Sequence, residues 1–405
     1  MKHSKKPLLV DAAYFEIGTD RTHGVHTPIR DLFRSKLRLA LREDSYPSVL
    51  IAGTGAGCGQ IIQRMLLQNI QDKSPFVYVQ GVGDSHHLHD LKTLATQLGC
   101  VEDLRSISFK LSHPGPKHTF DPINPLVGDP QAFNALFGAL AGPLLHKLCL
   151  AQWEDGNLVD LAAFKSFLDL EKLLSFYHQE KFQSAKVELD QYFKDAMDFC
   201  VLDTCSTTQA ARHAKHMSKA WNFYHVLEHS KLCSTDPDVD FRNLFKSGKY
   251  VCITLSALVK EPESFGFLST LFAYLISASA DKSGQPNANP EVIFDGVFDT
   301  HHDLGPTINR LSQLNTLFTL VTLANHRPDN AIGQIGSAAR SAFILKAGPC
   351  SPPDALSALE IHQTDIRRQK TGAGYAWGNL AVMRKGKPYS LIGLAKAHLQ
   401  HRMGL

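Results

Sequence analysis

The stretch from Val49 to Ile62, VLIAGTGAGCGQII, narrows the folds open to this chain more than any other. Val49–Ala52 is a short apolar run of β-prone residues. Glycines follow at positions 53, 55, 57 and 59, and Ile61–Asn69 (IIQRMLLQN) has helical character. A strand, a glycine turn and a helix in that order put backbone N–H groups and a helix N-terminus where they hold phosphate. The same turn is also built without any ligand, so the pattern alone leaves both readings open. The hydrolytic form of the motif ends in Gly-Lys-Ser/Thr. Aligned on Gly59, this chain has Gln60 at the lysine position and Ile61 at the hydroxyl position. Gln60 brings no charge to a β- or γ-phosphate, and Ile61 cannot hold magnesium. The frame of a nucleotide site is present without the two side chains that do its chemistry.

With 405 residues the chain has room for two or three domains and a large core. A hydrophobic content of 43% and a charged content of 20% exclude a disordered or fibrous class. A net charge of +3 is too small to argue for nucleic acid from the total. The eight cysteines, at 58, 100, 149, 200, 205, 233, 252 and 350, form no CxxC pair. They predict reduced, mostly buried thiols in a cytosolic protein. The basic start, MKHSKK, is not followed by the apolar core of a secretory signal. The most apolar helix-length run, Phe133–Ala151, contains Asn134, His146 and Lys147 and a Gly142-Pro143 break. It predicts a buried helix pair, not a membrane span.

Along the chain, residues 1–48 predict a short strand near Leu8–Val10 and a helix from Pro28 to about Arg42. Phe76–Gln80 is a buried strand, His89–Leu98 an amphipathic helix and Ile107–Leu111 a third strand. His113–Pro130 is rich in Pro and Gly, with Asp121-Pro122-Ile123-Asn124-Pro125-Leu126 at its centre, and marks a boundary. From Gln131 to about residue 246 helical periodicity dominates, in Leu158–Tyr177, Ser184–Cys200 and Thr207–Leu232. Strands return at Tyr250–Leu255, Val292–Asp295, Leu317–Thr322 and Ala342–Lys346, separated by helices at Ser264–Ser279 and Leu304–Leu314. Continuous apolar strands alternating with helices predict a mostly parallel sheet covered on both faces. Ala376–Leu394 predicts a hairpin of two short strands around Gly386. The division that follows is an α/β domain in two parts, 1–130 and 247–405. An all-α domain is inserted at 131–246, and it is expected to be independent, its removal leaving the α/β core folded.

The order of these motifs resembles the coupling proteins of type IV secretion and conjugation, which are RecA-like P-loop ATPases of the DNA-translocase class. The resemblance covers nearly the whole soluble part of that family. Family members read like GTTGSGKT, and Ala56-Gly57-Cys58-Gly59-Gln60-Ile61 falls on the last six positions. Their Asp-Pro-Lys-Gly-Asp segment after the second strand corresponds to Gln80-Gly81-Val82-Gly83-Asp84, which keeps only the turn and the final acid. Their Asn-Pro-Leu before the helical insertion matches Asn124-Pro125-Leu126. Their hydrophobic-Asp-Glu strand corresponds to Ile293-Phe294-Asp295-Gly296, and their sensor glutamine falls on Asn325. The final glycine-led hairpin looks like Gly374 through Tyr389. Family members carry N-terminal transmembrane helices, and no such segment is read here.

The resemblance implies a RecA-like fold, and it implies a site in which only the magnesium-coordinating acid, Asp295, survives. Asp295 and Asn325 are then vestiges of a catalytic centre. Gly55, Gly57, Cys58, Gly59, Gln60 and Ile61 are a degenerate nucleotide-binding loop that still allows an N–H nest for weak ATP or nucleotide binding. Asp84 reads as a helix cap and Asp299 as a solvated loop acid. Phosphoryl transfer needs charge placed around the transferred group, so ordinary ATP hydrolysis is not expected. Arg340, just before a strand, is the nearest candidate for an arginine reaching a neighbouring subunit's site.

His225-Val226-Leu227-Glu228-His229 matches H-x-x-E-H, a zinc-binding pattern of one metalloprotease class, with His213 and His216 about a turn before it. No strong third ligand is indicated, and chance among 20 histidines is the favoured account, so no metal is assigned. His86, His87 and His89 and the pair His301-His302 read as polar loop or helix-start residues, and no site is assigned to them. From Glu360 to Leu405 eight Lys/Arg face two acids, a surplus that suits a solvated surface better than a nucleic-acid interface. The expectation is a cytoplasmic protein, peripheral at the inner membrane at most and with no integral membrane segment, in a secretion or conjugation apparatus. Its partners would be secretion-system proteins, a full-length coupling ATPase, and a secreted protein or DNA substrate. The alternatives are an active DNA- or protein-translocating motor and a nucleic-acid-binding accessory factor.

Overall fold

The computed structural model describes residues 14–20, 36–40, 48–52, 58–71, 73–81, 86–109, 117–197, 207–258, 261–281, 291–296, 317–323, 341–345, 373–378 and 389–393. The chain opens with three strands, β1 (Tyr14–Asp20), β2 (Lys36–Ala40) and β3 (Ser48–Ala52). Helix α1 (Cys58–Gln71) follows, then β4 (Phe76–Gln80), α2 (His86–Gln97) and β5 (Leu104–Ser108). The next elements are helices: α3 (Pro130–Glu154), α4 (Leu161–Leu168), α5 (Leu170–Phe176), α6 (Lys186–Met197), α7 (Thr207–His216) and α8 (Ser218–Ser230). Then come β6 (Tyr250–Thr254), α9 (Pro262–Asp281) and β7 (Glu291–Asp295). The last strands are β8 (Leu317–Leu323), β9 (Ser341–Leu345), β10 (Ala373–Gly378) and β11 (Tyr389–Gly393).

The eleven strands among the described residues form one sheet in the order β2-β1-β11-β10-β9-β3-β8-β7-β4-β6-β5. From β9 to β5 every neighbouring pair is parallel. From β2 to β10, and on to β9, every pair is antiparallel. Strands β4, β6 and β7 are buried at every position. Burial on both faces removes the need for polar alternation and explains their unbroken apolar sequences.

Several sequence expectations need correction. The helix expected from Pro28 to about Arg42 is not formed as such, because Lys36–Ala40 is β2 and pairs antiparallel with β1. Alternation in KLRLA suits a strand, and strand pairing outweighs a weak helical pattern. β1 itself was not read from the sequence. The third strand is Leu104–Ser108, not Ile107–Leu111. The expected helix Leu158–Tyr177 is two helices divided at Asp169, and Thr207–Leu232 is two helices divided at Met217. Asp169 faces the chain with a competing role, since its side chain accepts the Lys172 N–H and caps the second helix. The expected strand near Leu8–Val10 and helix Leu304–Leu314 lie outside the described residues.

The helix pair expected in Phe133–Ala151 is present, but the break sits at Gly138 (φ 86°, ψ 172°) and not at Gly142-Pro143. Only glycine takes such a conformation without strain. Folding back there brings Phe133 against His146, with ring centroids 5.3 Å apart. It also brings Gly142 so close to the first half that a Cβ would lie 2.7 Å from the Phe133 carbonyl oxygen. Pro143 lies in the second turn of the second half. Among the described residues α3 is the helix long and apolar enough to cross a membrane. Many of its apolar side chains, among them Phe133, Leu136, Phe137, Leu144 and Leu145, are buried in the protein core, while Leu140 and Trp153 are exposed.

The chain before and after the helices between β5 and β6 crosses at Phe120. The Phe120 N–H donates to the Leu232 carbonyl (2.8 Å), and the Ser234 N–H donates to the Phe120 carbonyl (3.0 Å). Below this crossing the core is continuous. Phe272 on α9 packs against Phe109, Phe120 and Phe241, with centroids 6.1, 5.1 and 5.9 Å away. Farther along α9, Phe267 meets Phe137 and Phe223 of the helical segment at 5.9 and 5.0 Å. Helix α9 is thus the shared layer between sheet and helices. Buried thiols lie in the same core. Cys252 in β6 is pushed up to about 12 by burial, and Cys149 is raised for the same reason.

Candidate functional site

In an open parallel sheet, ligands bind beyond the carboxyl ends of the strands, where successive connections leave in opposite directions. Strand β3 leads through α1 to β4, which lies on one side of it. Strand β8 leads to β9, which lies on the other. The place between β3 and β8 is that switch point, and β3 and α1 are consecutive elements on either side of residues 53–57. Register aligns the strand ends: Ala52 pairs with Leu323, Asp295 with Val321, and Gln80 with both Asp295 and Thr254. Strand β8 alone separates β3 from β7, so Asp295 stands about 10 Å from the β3 axis, two strand spacings away.

Helix α1 begins at Cys58, so the first N–H groups of its opening turn have no acceptor within the helix. The helix is tied to the sheet at its far end. Asn69 Nδ2 donates to Glu291 Oε2 (2.8 Å), both side chains buried, linking α1 to the first residue of β7. Gln63 is hydrogen-bonded to Asp90 of α2. These contacts fix the direction in which the α1 N-terminus points.

Asp295 ends β7 and is 7% exposed. The Tyr78 hydroxyl, two residues back from the end of β4, donates to Asp295 Oδ2 at 2.8 Å. The Gly81 N–H donates to the Asp295 carbonyl at 2.7 Å, closing the end of β4 onto β7. Gly296 follows with φ 62°, the left-handed region. An L-residue at 296 would be strained by about 1–2 kcal/mol, so the acid that the resembled family carries there does not suit this backbone.

Of the residues singled out from sequence, Asp295 is placed at the carboxyl edge, and Cys58, Gly59, Gln60 and Ile61 form the first turn of α1. Gly55, Gly57, Asp84, Asp299, Asn325 and Arg340 lie outside the described residues. Sequence alone gives no role to Tyr78 or to the Asn69–Glu291 pair. Tyr78 and Gln80 carry the one available signal, polar groups inside a strand otherwise made of apolar residues.

In the helical segment, His213 is buried with both ring nitrogens engaged, by Tyr192 Oη (3.0 Å) and the Leu168 carbonyl (2.8 Å). Burial lowers its pKa below the ordinary 6.5. Asp121, in the stretch ahead of α3, is buried and accepts the Ile123 and Asn124 N–H groups and the Asn124 amide. Burial raises its pKa, with these donors opposing the shift.

No protein-family model matches this sequence, and no curated protein does. Solved structures do match over nearly the full chain. The plasmid coupling protein TrwB in complex with ADP and Mg2+ superposes with a TM-score of 0.60 and 11% identity, covering 96% of each chain. TrwB with the non-hydrolysable ATP analogue ADPNP gives 0.59 and 11%, covering 95% of each. VirB4 of Thermoanaerobacter pseudethanolicus gives 0.55 and 11%, covering 97% of this chain and 99% of that one. The chain has the RecA-like P-loop fold of the type IV secretion and conjugation coupling ATPases, as the motif order implied.

Proposed function

We propose that this protein is a coupling-protein-like component of a bacterial type IV secretion or conjugation apparatus, with a degenerate ATPase site, acting in assembly or substrate recruitment. The reading is supported by a coupling-protein fold over nearly the whole chain together with Gln60, Ile61 and Gly296 at the positions where the resembled motifs carry a lysine, a hydroxyl and a glutamate. The residues present do not fit a hydrolysable magnesium–nucleotide. Gln60 supplies no cation for the phosphates, Ile61 no oxygen for the metal and Gly296 no base. The Asp295 carboxylate already receives the Tyr78 hydroxyl. Backbone donors of the glycine segment and the α1 N-terminus remain, and they suit weak binding of a nucleotide or another anion.

On this reading residues 131–246 form the inserted all-α domain and present the partner-recognition surface. Support comes from the meeting of the two ends of the segment at Phe120, whose N–H and carbonyl are bonded to Leu232 and Ser234. The partners are secretion-system proteins and a full-length coupling ATPase, to which Arg340 would lend its charge. The site of action is the cytoplasm or the inner face of the membrane.

The test compares magnesium-dependent ATP hydrolysis by the purified chain and by Asp295→Ala. Equal rates at background level are expected. A rate above background that Asp295→Ala abolishes would reject the degenerate site and restore a translocating motor.

A further inference from the structure

Helix α8 carries a second cluster of chemistry, far in sequence from the glycine segment. His225, Glu228 and His229 are spaced i, i+3 and i+4, which puts them on one helix face. One ring nitrogen from each histidine and one oxygen of Glu228 lie within 4.8 Å of one another, and all three side chains are exposed. We propose that these residues form a surface site for a late first-row divalent cation, with zinc the expected occupant.

The donor set sets the metal class. Two imidazoles and one carboxylate suit Zn2+, Ni2+, Co2+ or Cu2+, while Mg2+ and Ca2+ favour all-oxygen cages. Ligand atoms around a tetrahedral zinc stand about 3.4 Å apart, given bonds of roughly 2.0–2.1 Å. Exposed side chains on one face reach that spacing by small rotations. Three protein ligands leave a fourth position for water or for a group from a partner.

The surroundings already orient the ligands. His229 Nδ1 lies 2.7 Å from the His225 carbonyl oxygen and donates to it. That bond turns Nε2 outward with its lone pair free, the usual outer-shell arrangement of a metal-bound histidine. The Tyr224 hydroxyl donates to Glu228 Oε1, while Glu228 Oε2 faces His225 Nδ1 at 3.9 Å. The Trp221 ring stacks on His225, with centroids 5.6 Å apart and planes at 24°. The trio sits in the last two turns of α8, where the negative end of the helix dipole favours a cation. His213 takes no part, since Tyr192 and Leu168 occupy both of its nitrogens.

The test uses the full chain stripped with EDTA and then titrated with Co2+, followed by its visible spectrum, and with Zn2+ by calorimetry. One saturable equivalent is expected to disappear in the His225→Ala/His229→Ala double variant. Each single histidine change should weaken that site by roughly tenfold or more, and Glu228→Gln should weaken it less. Zinc should raise the melting temperature of the wild type and leave that of the double variant unchanged, a readout that does not depend on other histidines. Excess Mg2+ should not displace the bound ion. Absence of a saturable equivalent, or an equal one in the double variant, overturns the proposal.

Discussion

The acidic side chains of the helical segment and those of the central sheet do different work. In the helical segment Asp129, Asp160 and Asp169 sit at helix starts and accept N–H groups two or three residues ahead. In the sheet Glu291 and Asp295 lie inside one strand, buried, and are held by Asn69 and Tyr78 from elements 222 and 217 residues away. A capping acid answers to its own sequence neighbourhood, and its loss unravels a turn. A strand acid buried at a sheet edge is tolerated only because distant donors meet it, and such groups join elements together. Acids of the first kind build helices, and acids of the second kind tie distant elements to the sheet.

The largest test of this division is whether the two regions fold as one body. Phe272 is fully buried and touches aromatic rings from the sheet side and from the crossing at Phe120. Phe272→Ala should cost about 3–5 kcal/mol by the removed contacts and the cavity left behind. Because Phe267 on the same helix packs into the helical segment, a single cooperative transition is expected in denaturant. Two transitions, with the change lowering one alone, would show that residues 131–246 melt as a separate unit.

A smaller effect is expected at the carboxyl edge. Tyr78→Phe keeps the ring and removes the hydroxyl from Asp295, which should destabilise by about 1–3 kcal/mol. An unchanged denaturation midpoint would mean that the Asp295 carboxylate finds an equal partner without Tyr78, and the contrast with the capping acids would weaken.

The smallest effect is a change of pH slope in the helical segment. Burial depresses the pKa of His213 in the folded state. Its contribution is therefore fully present above the unfolded value near 6.5 and is lost as pH falls from there toward the folded value. Protonation must also place a proton on Nδ1, where the Tyr192 hydroxyl now donates. Stability measured across this window should fall with acid, and His213→Gln should flatten the fall. An unchanged slope would assign the acid sensitivity to His118 and His146, which burial depresses as well.

What the sequence determined by itself is local chemistry and local periodicity. The strands β4, β6 and β7 were legible because both their faces are covered, so each reads as an apolar run whatever its neighbours. The absence of lysine, hydroxyl and glutamate at 60, 61 and 296 is a fact of the sequence. The placing of His225, Glu228 and His229 on one face follows from helix period alone, while the orienting contacts from Tyr224 and Trp221 needed rotamers. The turn at Gly138 was hidden because Gly142-Pro143 is the louder local signal. Tertiary structure decided which strands are neighbours, and with it that Tyr78 meets Asp295 and Asn69 meets Glu291. It also made β1 and β2 strands, through pairing with each other and with β11. The physical reason is the same in each case. Strand pairing satisfies backbone hydrogen bonds between segments of any separation in sequence, and no local pattern records which partner will supply them.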